Sequence, residues 1–80
     1  MKREKRLYIV LSFAKTDAAM AMEQYCMQHD IPGRHIPLPG QIAAGCGIAW
    51  RMKPEEYTCY RQLLSEAAIP VEQITEVWLY

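Results

Sequence analysis

The stretch Ile31-Pro32-Gly33-Arg34-His35-Ile36 stops a helix and starts a strand within six residues. Proline lacks the backbone donor that a helix interior needs, and glycine tolerates the open backbone that follows a helix end. The same punctuation returns 38 residues later: Ile31-Pro32 and Ile36 are matched by Ile69-Pro70 and Ile74, and Lys15 is matched by Lys53. Each half of the chain therefore reads strand, helix, strand.

Working outward, Leu7-Tyr8-Ile9-Val10-Leu11-Ser12-Phe13 is short, aromatic and partly β-branched, which predicts a strand. Its period of two puts Leu7, Ile9, Leu11 and Phe13 on a wholly apolar face, and Tyr8, Val10 and Ser12 on a mixed one. Thr16 or Asp17 offers a helix N-cap, and Ala18, Met22, Tyr25, Cys26 and His29 recur at helical spacing. A second strand over Arg34–Ile36 runs into Pro37-Leu38-Pro39-Gly40, where ladder pairing must weaken. Ile48-Ala49-Trp50-Arg51-Met52 predicts a third strand. Pro54 opens a second helix whose stripe is Tyr57, Tyr60, Leu63, Leu64 and Ala67, and Ile74 to Leu79 forms the last strand. Two strand–helix–strand units joined by one long connection give an α+β, ferredoxin-like βαββαβ sandwich, with a four-stranded antiparallel sheet and two helices on one face. Residues 1–80 are expected to form one such domain, with 1–6 as a basic N-terminal tail.

Eighty residues support one core. Nine basic and nine acidic residues cancel, which argues against general attachment to nucleic acid or an anionic membrane. The cluster Lys2, Arg3, Lys5, Arg6 precedes an apolar run that ends at Lys15, too short for a secretory signal, so an unprocessed cytoplasmic protein is expected. Three cysteines, Cys26, Cys46 and Cys59, have no framework or zinc spacing, so free thiols are expected and neither a metal nor a cofactor is called for.

Cys46 stands between Gly45 and Gly47 at the end of the long connection, behind Ala43 and Ala44. Flanking glycines leave the sulfur open and let backbone N–H groups turn toward it, a setting that suits a thiolate or persulfide. The competing reading is a small cysteine at the base of a turn. Cys26 shares a helix face with Met22 and Tyr25 and reads as a core residue; Cys59 falls beside the stripe of its helix and is a possible assisting thiol. Arg34, Arg51 and Lys53 are candidates to lend positive potential to Cys46. His29 suits a helix C-terminus.

The segment Ile31-Pro32-Gly33-Arg34-His35-Ile36-Pro37, then Pro39, then Cys46-Gly47-Ile48-Ala49, resembles the selenium/sulfur (Se/S) carrier protein-like family of small uncharacterised proteins. The likeness extends to the opening strand, the helix after Thr16-Asp17 and the Pro54-Glu55-Glu56 helix start. It implies that Cys46 accepts sulfur or selenium as a persulfide or selenopersulfide and passes it to a partner enzyme, with Gly45 and Gly47 as backbone support. Donor and acceptor proteins are the implied partners. Members often carry hydroxyl residues ahead of the cysteine, where this chain has Ala43, Ala44 and Gly45. A carrier fits better than a self-contained enzyme, because the sequence offers no acid/base pair and no nucleophilic triad. The alternative is a small binding or regulatory module that uses its sheet face and the connection between the second and third strands. An apolar open face carrying Tyr8 and Val10, joined by Trp78 and Tyr80, would favour a homodimer or a partner docked on that face.

Overall fold

The structure, a computed structural model, describes residues 3–42 and 45–80. Lys2, Ala43 and Ala44 of the sequence reading lie outside them. The element order is β1 (Arg6–Ser12), α1 (Thr16–Gln28), β2 (Arg34–Pro37), β3 (Ile48–Met52), α2 (Pro54–Glu66) and β4 (Gln73–Leu79). The sheet order is β2-β3-β1-β4 with every neighbouring pair antiparallel, which is the expected ferredoxin-like βαββαβ arrangement. Among the described residues no helix is long and apolar enough to cross a membrane.

The 38-residue repeat is structural. Lys15 and Lys53 are the N-caps of two 13-residue helices, and Asp30 and Ala68, again 38 apart, both take a left-handed backbone (φ 53° and 55°) just past the helix ends. The cap of α1 is thus Lys15 rather than Thr16 or Asp17. Its backbone is extended, its side chain makes no cap bond, and its carbonyl accepts the Ala19 N–H at 3.4 Å. Lysine has no acceptor, so the α2 cap works in one direction only: Glu56 Oε1 accepts the Lys53 N–H at 2.8 Å.

Leu11, Phe13, Trp50 and Met52 face the helices, where they pack with Ala19, Met22, Cys26 and Leu64. Burying one such side chain contributes about 1.5–3 kcal/mol. The Tyr25 hydroxyl ties the two helices by donating to the Leu63 carbonyl at 3.0 Å. His29 is exposed and stacks on Tyr25, with ring centroids 4.2 Å apart.

The other sheet face differs from expectation. Val10 and Ala49 are fully buried and Tyr8 is 9% exposed, because Leu38 and Ile42 from the β2–β3 connection pack on them together with Val77. Trp78 and Tyr80 do not join Tyr8 and Val10. The register pairs Leu7 with Trp78, and directly opposed residues share a face, so Trp78 lies on the helix side, as does Tyr80 two residues on. Both are exposed there, beyond the helices. The open apolar face on which self-association was expected to rest is covered by the chain itself.

Gly33 sits where β2 begins, with φ +138°. A Cβ on it would lie 2.5 Å from the Trp50 indole nitrogen and 2.9 Å from the Arg51 carbonyl oxygen. Glycine is thus needed twice, for the backbone and for the close approach of the indole. The Gly33→Ala variant is expected to lose about 2–4 kcal/mol of stability, read as a lower urea midpoint with an unchanged slope.

Cys26 supplies a second test. It is 1% exposed, its Sγ lies 3.8 Å from Met22 Sδ, and burial pushes its thiol from 9.0 up to about 11. The unfolded chain then ionises first as pH rises, so this stabilising contribution is whole below pH 9 and is lost between pH 9 and about 11. Denaturation midpoints measured across that interval should fall more steeply for the native chain than for Cys26→Ala. Parallel curves would show that the thiol does not contribute.

Candidate functional site

The β2–β3 connection is held at its base, its middle and its end. Past the last ladder pair, Pro37 with Ile48, the Leu38 N–H donates to the Gly47 carbonyl at 2.9 Å. A turn follows in which the Ile42 N–H donates to the Pro39 carbonyl at 3.0 Å, and this aims Ile42 at the sheet. On its return the chain is fastened to β1's end, where the Cys46 N–H donates to the Phe13 carbonyl at 2.8 Å.

The two glycines have separate local reasons. A Cβ on Gly45 would stand 3.1 Å from a methyl of Leu38, so its smallness lets the returning strand pass close to the loop. Gly47 has φ +94° and open space where a Cβ would project, so conformation is its requirement. The Cys46 N–H is spent on Phe13 and does not turn toward its own sulfur. The thiol instead donates weakly to the Ile48 carbonyl, with Sγ at 3.6 Å.

Cys46 is half-buried, one side of it packed on the helix-face core cluster. At the neighbouring Gly47 opens a shallow hollow of about 320 Å³ formed by Ile36, Pro37, Gly47, Ile48 and His35, which Cys46 itself does not line. His35 is engaged elsewhere: its Nε2 donates to the Ala19 carbonyl at 2.8 Å, and its Nδ1 lies 3.5 Å from a Glu23 carboxylate oxygen. Cys59 is exposed on α2 and Cys26 is in the core, so accessibility runs Cys59, Cys46, Cys26. Among the described residues no cluster of three or more His, Cys, Asp or Glu is placed to hold a metal ion.

The cations expected near Cys46 are not there. Arg51 pairs with Val10, three residues back along β1 from the Phe13 carbonyl that holds Cys46, which is about 10 Å of strand. Its guanidinium points further away, 4.3 Å over the Tyr8 ring on the loop-covered face. Arg34 is at the same level as Arg51, and Lys53 lies beyond both. Sequence proximity to a thiol says nothing about face, and alternation along β3 sends Trp50 and Arg51 to opposite sides. Two anchoring residues were missed by sequence reasoning. Phe13 fixes Cys46 through its backbone, which no side-chain pattern reveals; Ile42 had a signal, an isolated aliphatic residue inside a Pro- and Gly-rich loop.

What the arrangement offers is one thiol on a loop fastened just past the end of β1, apolar on its inner side and partly exposed on its outer side. No curated protein and no solved structure shows a significant match to the chain. The family described as "Putative Se/S carrier protein-like" matches residues 8–76, from within β1 to within β4 and across the Cys46 loop. The chain belongs to that Se/S carrier protein-like family.

Proposed function

We propose that the protein carries sulfur or selenium on Cys46 and hands it from a donor to an acceptor protein. The observation that carries this reading is the mounting of Cys46: a half-buried thiol on a loop pinned to the Phe13 carbonyl, in a chain of the Se/S carrier protein-like family. A persulfide must be held long enough to travel and remain reachable. The apolar inner side shields one flank of the bound chalcogen, and the partial exposure of Cys46 leaves the other flank to a partner's nucleophile.

Loading and delivery are the same exchange run twice. The Cys46 thiolate attacks the terminal sulfur of a donor persulfide R–S–SH; the new S–S bond forms as the donor's S–S bond breaks, and R–S⁻ leaves. An acceptor nucleophile then attacks the outer sulfur, and the Cys46 thiolate is the leaving group. No external oxidant or reductant enters either step, and selenium in the outer position follows the same path. Gly45 and Gly47 support the reaction by setting the backbone rather than by touching sulfur. Cys59, on the outer surface of α2, is outside this route.

The test is intact-mass analysis after exposure to a sulfane-sulfur donor at neutral pH, on the native chain and on Cys46→Ala and Cys59→Ala. One added sulfur that a dithiol removes is expected on the native chain and on Cys59→Ala, and none on Cys46→Ala. Because Cys59 is the more exposed thiol, the comparison separates site chemistry from mere access. An adduct that survives in Cys46→Ala and vanishes in Cys59→Ala overturns the assignment.

A further inference from the structure

The far end of the sheet carries a feature that the carrier reading does not use. Arg34 and Arg51 are directly opposed across the β2–β3 ladder, and Lys53 follows on the same strand's exit. Like charges placed opposite each other in a sheet are destabilising by a few tenths to about 1 kcal/mol. Among the described residues no carboxylate forms an ion pair with any of the three. Arg34, Arg51 and Lys53 line one small hollow of about 140 Å³ with Tyr8, Gly33 and Glu56.

Two details give this hollow the features of a receptor rather than of a solvated charge patch. The Arg51 guanidinium carbon lies 4.3 Å from the centroid of the Tyr8 ring, a cation–π contact that helps hold the group at the hollow while a guanidinium so placed keeps N–H donors for a ligand. The one acid at the rim, Glu56, has Oε1 committed to the Lys53 backbone N–H at 2.8 Å, where it serves the α2 N-terminus. Three cations therefore share the hollow with one carboxylate, which leaves an excess of positive charge there.

We infer that Arg34, Arg51 and Lys53 form a binding site for a phosphoryl dianion, free or as a monoester. A planar guanidinium matches two phosphate oxygens at once, and an ammonium adds a point charge. The hollow is well below the several hundred Å³ of a small-molecule pocket, so it takes the anionic group alone and leaves the remainder of a monoester in solvent. The site is independent of the Cys46 reading, since it lies at the other end of the sheet and on the other face.

Backbone amide NMR of the full chain tests the inference, with inorganic phosphate and, separately, AMP added at pH 7.5 and ionic strength held constant with sodium chloride. Saturable shifts are expected at Gly33, Arg34, Arg51 and Lys53, with Lys15 and Arg61 unmoved as internal controls. Binding of both ligands places the recognition in the phosphoryl group; binding of inorganic phosphate alone restricts the site to the free ion. Arg34→Gln and Arg51→Gln should each weaken binding about tenfold or more. Arg34→Gln should also keep or raise the melting temperature, because it removes the opposed charge, so loss of binding there does not reflect misfolding. Shifts that never saturate, that appear equally at Lys15 and Arg61, or that persist in both variants overturn the proposal.

Discussion

The structure depends on one constraint: β1, one of the two inner strands of a small sheet, is buried on both faces along its second half. Val10, Leu11, Ser12 and Phe13 are all excluded from solvent, two toward the helices and two toward the opposite side. Two helices cover one face of a four-stranded sheet, and among the described residues there is no third helix for the other. The β2–β3 connection does that work, laying Leu38 and Ile42 on Val10 and Ala49. Burying Ile42 alone is worth about 1.5–3 kcal/mol, a large share of the net stability of so small a domain. The loop that bears Cys46 is therefore part of the core, and its course is set by packing before any chemistry is considered.

The same constraint explains why a thiol on a ten-residue connection is so firmly placed. A loop that serves as a lid must leave the sheet and come back to it, and both crossings are closed by backbone bonds, Leu38 to Gly47 and Cys46 to Phe13. The glycines answer the geometry of that return: Gly45 where the strand passes Leu38, Gly47 where the chain bends into β3. Both reasons would hold even if residue 46 had no reactivity, the stricter one being the positive φ of Gly47, since at Gly45 a methyl of Leu38 would have to give way by a few tenths of an ångström. What they leave to Cys46 is a fixed position at the end of β1.

The sequence was legible where the signal is local. The Ile-Pro stops, the lysines ahead of each helix and Pro54 place both helices, and the 38-residue offset already divided the chain into its two units. It was misleading where the answer needed a register or a distant contact. Alternation separated Tyr8 and Val10 from Leu11 and Phe13, but it could not say that Ile42 would cover them. Trp78 needed its pairing with Leu7 before its side of the sheet was known. Arg51 lies five positions from Cys46 in sequence, and in a strand that distance is long. At the site, Cys46, Gly45 and Gly47 could be read as a group, while the bond from Cys46 to Phe13 is a backbone contact between residues 33 positions apart.

Charge and thiol have thus been separated by the fold. β1 and β4 run antiparallel, β2 and β3 likewise, so the start of β1, the start of β2, the end of β3 and the end of β4 share one end of the sheet. Arg6, Arg34, Arg51 and Lys53 gather there, together with Arg3 and Lys5 against Tyr80. The opposite end holds Cys46 and the first turn of α1. A neutral total charge conceals this asymmetry, since the cancellation is over the whole chain and not within either end. At about 10 Å or more of strand, on the far face and across a water-exposed rim, the cations are screened from the sulfur and act on it weakly. The fold thus puts the charged side chains and the thiol under separate control, since the residues that hold Cys46 in place, Phe13 and Ile48, reach it through backbone carbonyls alone.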